Sequence, residues 1–216
     1  MKDKIKIKSS FVNLPNILTI FRIISIPIFV VCLFRYSFTS SIIAYVLFLL
    51  ASISDYFDGY IARKYNLTTE FGAFVDPLSD KLLTGTAFIS FYFIKALYIP
   101  LWMIVIIIFR EILVTVFRII ALKKNRPMKT EFAGKLKTAF QMFTINVILI
   151  YLIIYYYILK NIEYSLSIHT NIWSTILNGK LAGLVFYLPA ILIFICAVLS
   201  LISMSLYIVK NRYLFS

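Results

Sequence analysis

Residues 55 to 80 read Asp55-Tyr56-Phe57-Asp58-Gly59-Tyr60-Ile61-Ala62-Arg63, then eight residues, then Gly72-Ala73-Phe74-Val75-Asp76-Pro77-Leu78-Ser79-Asp80. Four of the chain's five aspartates fall in this window, between long apolar runs. An ionised carboxylate is costly beside hydrocarbon, so an acid placed there points to a functional site. A spacing of three between Asp55 and Asp58, and of four between Asp76 and Asp80, puts each pair on one helix face. Two helix ends that faced each other would gather four carboxylates, which could not all stay ionised without a cation among them. An all-oxygen donor set with no Cys or His points to Mg²⁺ or Mn²⁺ rather than zinc. Four carboxylates suit two such ions about 3.5–4 Å apart, the arrangement used for in-line displacement at phosphorus. Gly59, Ala62 and Gly72 lie one turn from the acids and leave room for a planar group or a phosphate to approach the backbone. Arg63 adds a planar fork for phosphate oxygens.

Working outward, the rest of the chain is apolar. Of 216 residues, 62% are hydrophobic and 17% aromatic, while only 14% are charged. That composition describes a multi-span helical membrane protein and not a soluble domain. A net charge of +13 would suggest nucleic acid in a soluble chain. Here the basic residues cluster between apolar runs, so anionic lipid and phosphorylated substrates are the expected partners, with no nucleic acid. Cys32 and Cys196 each sit inside an apolar run and read as packing residues, not a disulfide or a metal site.

The apolar runs predict six spans, at about 15–34, 40–62, 71–94, 100–122, 133–159 and 181–209. Lys2, Lys4, Lys6 and Lys8 in the basic segment 1–13, Arg63 and Lys64, the stretch from Lys123 to Lys137, and Lys210 with Arg212 all fall on one side of such an arrangement. The opposite side holds only Arg35, Lys95, Lys160 and Lys180. The positive-inside rule then gives an all-α polytopic protein of the cell membrane, with six transmembrane helices, both termini cytoplasmic and the aspartates facing the cytoplasm. The whole of 1–216 reads as one domain. The segment from Lys160 to Gly179 reads as a polar connection, with His169 a bystander.

Three further groups of residues carry possible chemistry. Asn16, Thr19 and Arg22 form a polar stripe at three-residue spacing on the first span. It reads equally well as interfacial capping with a snorkelling arginine or as a face turned to a nucleotide. Arg110 and Glu111 interrupt the fourth span, with Arg118 two turns on. Such a step must face the protein interior or a wet cavity. It serves either as an internal ion pair or as a receptor for a phosphate, and two arginines against one acid favour the receptor. Gly134-Lys135-Leu136-Lys137-Thr138 opens the fifth span, where helix N-terminal amides also help hold an anion.

The eight positions Asp55, Asp58, Gly59, Ala62, Arg63, Gly72, Asp76 and Asp80 match, with every spacing, the signature of the CDP-alcohol phosphatidyltransferase family. Chance agreement at eight positions is on the order of 10⁻¹⁰ at ordinary residue frequencies. This resemblance implies transfer of a phosphatidyl or similar group from a CDP-linked donor to an alcohol, with release of CMP. It implies two divalent ions on Asp55, Asp58, Asp76 and Asp80, with Asp80 also the general base. It places Gly59, Ala62 and Gly72 at the cytidine and Arg63 and Asp55 near the diphosphate, with Asn16 and Arg22 as further candidates there. The flanks Leu14-Pro15-Asn16-Ile17-Leu18-Thr19 with Arg22, Asp76 to Leu83, Arg110 to Arg118 and Gly134 to Gln141 are similar to the phosphatidylglycerophosphate synthase branch. That branch implies CDP-diacylglycerol as donor and sn-glycerol 3-phosphate as acceptor. The acceptor's phosphate would then be held by Arg110, Arg118 and Lys135, with Lys137 beside them, in a homodimer within the lipid bilayer. The same chemistry on phosphatidylglycerol, inositol phosphate or serine remains open at this point. A cation-coupled transporter or channel is the alternative of a different class, and an inactive scaffold is a third.

Overall fold

The computed structural model describes residues 14–65, 70–123, 132–165 and 180–210. They form α1 (Leu14–Leu33), α2 (Phe38–Tyr65), α3 (Glu70–Phe93), a single 3₁₀ turn (Lys95–Leu97), α4 (Leu101–Lys123), α5 (Phe132–Ser165) and α6 (Lys180–Lys210). No strand occurs among the described residues. Even the shortest of these α-helices, α1, has 20 residues, which at about 1.5 Å per residue matches a hydrocarbon core of about 30 Å. Among the described residues, two helices are long and apolar enough to cross a membrane, over Gly134–Asn161 and Tyr187–Lys210, and shorter apolar stretches cover Ile17–Leu33 and Phe38–Ser54.

Helix starts and stops have local causes. The α1–α2 connection is tight: Arg35 N–H donates to the Cys32 carbonyl, and Tyr36 takes a left-handed φ of 49°. That conformation is uncommon for a residue with a Cβ, and here the Tyr36 ring meets Phe34 edge-on at 6.2 Å and Tyr156 at 6.5 Å. Ser37 then caps α2, its Oγ accepting from the Ser40 N–H at 3.3 Å, the bond that an N-cap serine supplies. Tyr98, at φ 50°, ends the 3₁₀ turn in the same way. The Pro100 carbonyl accepts from Met103 N–H as α4 begins.

The fifth helix corrects the expected boundaries. Residues Lys160 to Ser165 continue α5 and are not part of a connection. Asn161 and Glu163 end the apolar run without ending the helix, because no Gly or Pro interrupts the backbone before Gly179. His169 and the rest of that expected connection lie outside the described residues, as do residues 1–13.

The chain groups into two compact units. One runs to Ala87 and includes Leu152–Tyr157; the other comprises Phe88–Tyr151 and the chain from Ile158 onward. In the first, α1 and α2 pack as an antiparallel pair. Phe29 meets Phe48 at 6.0 Å between ring centroids, and both are fully buried beside Ala44 and Ala51. Alanines at those positions let the two backbones approach closely. In the second unit α4 and α6 run parallel: Trp102 stacks edge-on against Phe194, and two turns further along Arg110 reaches Ser203. There α5 runs antiparallel to α6, since Gly134 lies beside Ser203 while Thr144 pairs with Cys196.

Polarity is inverted relative to a water-soluble protein. Ile24, Val31, Phe93, Phe109, Ile112 and Val209 are each more than half exposed, whereas Thr19, Arg22, Ser79, Arg110, Lys137, Gln141 and Ser203 are buried. An exposed surface this apolar needs a nonaqueous partner, and polar residues turned inward are the usual pattern in membrane bundles. Cys32 and Cys196 are both free thiols, and Cys196 donates to Thr144 Oγ1 at 3.2 Å.

Candidate active site

The motif is helical on both sides. Asp55, Asp58, Gly59, Ala62 and Arg63 occupy the last three turns of α2, and Gly72, Asp76 and Asp80 the first three turns of α3. An unbroken helix keeps positions 55 and 58, and positions 76 and 80, in register on the same side of their axes. The side chains of these residues, of Asn16 and of Arg118, and the link at 66–69, lie outside what the structure describes.

What the structure does describe is the support behind them. Arg22, on α1, is 1% exposed. Its Nε donates to the Ala51 carbonyl on α2 at 3.3 Å. Its Nη1 donates to Ser79 Oγ on α3 at 2.8 Å. Ala51 is one helical turn before Asp55, and Ser79 is the residue before Asp80. A single guanidinium therefore reaches both halves of the motif, and its planar fork suits two acceptors held at fixed directions. Two members of the polar stripe on α1 are thus internal: Thr19 is fully buried one turn from Arg22, and neither of these side chains snorkels to an interface. Ser54, beside Asp55, returns its hydroxyl to the Leu50 carbonyl at 2.6 Å, a bond that satisfies a serine in an apolar helix.

The motif's residue types form a hard, oxygen-only donor set of the kind that suits Mg²⁺ or Mn²⁺. Four carboxylates with no sulfur or imidazole in the motif are hard oxygen ligands, and the two helices that bring them are tied by one side chain within a turn of the first acid and one residue of the last.

A second polar cluster lies within the other unit. Arg110 on α4 donates through Nη2 to Ser203 Oγ on α6 at 2.7 Å, and its Nη1 stands 3.6 Å from Glu111 Oε2. Lys137 on α5 pairs with Glu111 Oε1. Arg110 is 7% and Lys137 1% exposed. Of the four expected acceptor cations, the structure brings Arg110 and Lys137 together. It leaves Lys135 exposed on another face of α5, because residues two apart on a helix do not share a side. So the Arg110–Glu111 step does form an internal ion pair, and the described residues of the cluster are two cations and one acid. Sequence reading missed Ser79, Ser203 and the link from Glu111 to Lys137. Serines at three-residue spacing in the otherwise apolar α6, Ser200 and Ser203, both buried, were the available signal.

The sequence model of the CDP-alcohol phosphatidyltransferase family matches residues 12–209. Over 142 residues the chain is 39% identical to a probable phosphatidylglycerophosphate synthase of Mycobacterium tuberculosis, covering 64% of this chain and 66% of that protein. The match thus spans just under two thirds of that relative's length. It is 41% identical over 140 residues to a CDP-diacylglycerol–glycerol-3-phosphate 3-phosphatidyltransferase of Rickettsia bellii, covering 64% and 75%. A protein of the same name from Bacillus subtilis is 36% identical over 151 residues, covering 64% and 77%.

Proposed function

Since the chain belongs to the CDP-alcohol phosphatidyltransferase family, we infer that it transfers a phosphatidyl group from CDP-diacylglycerol to sn-glycerol 3-phosphate, releasing CMP and forming phosphatidylglycerol phosphate. The observation that carries this reading is the complete eight-residue motif on the ends of α2 and α3, with one buried guanidinium tied to both helices. The names of the relatives on three bacterial branches support the acceptor.

Asp55, Asp58, Asp76 and Asp80 would hold two Mg²⁺ or Mn²⁺ ions, which supply neutralisation of the diphosphate charge. Asp80 takes the proton of the acceptor hydroxyl as its oxygen attacks the lipid-bearing phosphorus, and the phosphoryl–oxygen bond to CMP breaks. Gly59, Ala62 and Gly72 give the cytidine room, and Arg63 binds the diphosphate. Arg110 and Lys137, with Arg118, are the cations for the acceptor's phosphate, and Lys135, turned to another face of α5, is not among them. A pair of cations that meets one acid among the described residues, as in Arg110, Lys137 and Glu111, favours a phosphate monoester over serine or phosphatidylglycerol, which carry none.

The chain works as one domain with six membrane crossings, both termini and the motif facing the cytoplasm, a reading that the clustering of basic residues between alternate spans supports. It is a homodimer in the cell membrane. Alternation of α4, α5 and α6 in direction supports successive crossings.

The test is an acceptor panel on purified protein with CDP-diacylglycerol and Mg²⁺. CMP release is expected with sn-glycerol 3-phosphate and little with serine, inositol phosphate or phosphatidylglycerol. CMP release with one of those three and none with glycerol 3-phosphate would reassign the acceptor. No release with any of them would reject the reaction.

A further inference from the structure

We propose that Arg22 is a positioning residue for the reaction: it holds the two aspartate-bearing helices at the spacing that lets one metal pair bridge them. The inference rests on the metal-dependent reading above and adds to it a residue that acts through the two helices that carry the ligands.

Burying an arginine to 1% exposure in an apolar bundle is costly and persists only where hydrogen bonds and nearby opposite charge offset it. The two partners described, the Ala51 carbonyl and the Ser79 hydroxyl, are neutral. Five acids stand on α2 and α3: Asp55, Asp58, Glu70, Asp76 and Asp80. Both neutral partners flank the motif, one a turn before its first acid and one immediately before its last. A guanidinium used only for packing would gain nothing from that choice of partners. One used to fix the motif would need one bond on each helix, close to the ligands, which is what α1 provides. The fork is rigid, so the distance between its two acceptors is set by its own width. Lysine, a point charge with a flexible stem, keeps the charge and loses this constraint.

Outer-shell groups of this kind orient the carboxylates that bind metal. Removing either end of the tie should loosen the same geometry. The two changes should therefore not add, since the second has nothing left to break.

The test is a double-mutant cycle in full-length protein in detergent: wild type, Arg22→Lys, Ser79→Ala and the double variant. Mn²⁺ binding is read by electron paramagnetic resonance with CDP present, alongside kcat, KM for CDP-diacylglycerol and the thermal midpoint. Each single change is expected to weaken Mn²⁺ binding on the order of tenfold, to lower kcat more than it raises KM, and to leave the double variant no worse than Arg22→Lys. Additive losses would overturn the proposal. So would a fall in thermal midpoint with Mn²⁺ affinity unchanged, which is a packing role. A raised KM with wild-type Mn²⁺ affinity would overturn it too, by placing Arg22 on the diphosphate instead. If Arg22→Lys does not fold, Ser79→Ala decides alone, and wild-type Mn²⁺ affinity there refutes the tie. Wild-type protein that binds no Mn²⁺ rejects the metal-dependent reading itself, a result distinct from any of these.

Discussion

Replacing Glu111 by glutamine isolates what the buried cluster of α4, α5 and α6 contributes. Among the described residues Glu111 is the acid that Arg110 and Lys137 share, and it contacts both. Glutamine keeps the shape and removes the charge, leaving two cations that are 7% and 1% exposed. Deleting one partner of a buried ion pair costs about 3–5 kcal/mol. Because the Glu111 side chain is 25% exposed and water screens part of its field, the lower end applies, about 3 kcal/mol. For a chain of this length each kcal/mol moves the thermal midpoint by about 2–4 °C, so Glu111→Gln should lower it by about 6–12 °C. Changing Lys137→Met in the same protein removes the stranded ammonium, and the double variant should regain more than half of the loss. Thermal unfolding in detergent, followed by tryptophan fluorescence, measures both. A midpoint within about 2 °C of wild type for Glu111→Gln, or a double variant less stable than the single by the full Lys137→Met effect, would refute the reasoning, since no coupling would then exist.

Other perturbations probe different links. Asp80→Asn should cut CMP release by about 10²–10⁴-fold, the range for loss of a positioned general base, without moving the thermal midpoint; more than a tenth of wild-type activity would remove Asp80 from that role. Chelation by EDTA should abolish CMP release, and added Mg²⁺ or Mn²⁺ should restore it; activity that survives exhaustive chelation would eliminate the metal pair. Ser37→Ala removes the α2 N-cap bond and should cost about 1 kcal/mol with kcat unchanged, a readout that separates helix stability from the site. In a cysteine-free background, a cysteine at Lys95 should react with an impermeant maleimide on intact cells and one at Lys210 only after permeabilisation; the reverse pattern would invert the topology.

The helical segments were legible because an apolar run of about 20 residues has few alternatives to a helix, and the observed α1 to α4 fall within a few residues of the expected spans. Where the reading ended α5 at 159, it used loss of hydrophobicity as a stop signal. A helix stops at a backbone that cannot continue, and Asn161 and Glu163 do not prevent continuation. The motif residues were legible by spacing alone. Their supports were not. Arg22 could be placed on a polar stripe, but a period of 3.6 tells which side of a helix a residue takes and not which helix it meets. Ser79 is 57 residues away and Ser203 is 93 residues from Arg110, and no local pattern encodes such pairings. The same limit explains Lys135 and Lys137. Both stood in one basic tract, and only the helical rotation of 200° between them, once α5 begins at Phe132, sends one inside and leaves the other exposed.

Arg22 and Arg110, both buried, solve one problem in two ways. In hydrocarbon every guanidinium N–H must find an acceptor, and each arginine here meets a serine from a helix far away in sequence: Arg22 meets Ser79, Arg110 meets Ser203. Serine is small enough to let helices pack closely while offering an oxygen. The second acceptors differ. Arg110 takes a carboxylate that it shares with Lys137, so much of its charge is balanced within its own cluster. Arg22 takes a backbone carbonyl, and the neighbouring opposite charge lies on the motif helices. Arg22 is thus tied to the helices that carry the motif, whereas charge on Arg110 is coupled to Glu111. That difference predicts different responses to metal. Thermal stabilisation by added Mn²⁺ should shrink in Arg22→Lys and stay at the wild-type value in Glu111→Gln, because only the first substitution disturbs the helices that present the ligands. Equal shrinkage in both variants would mean that the two clusters do not act separately.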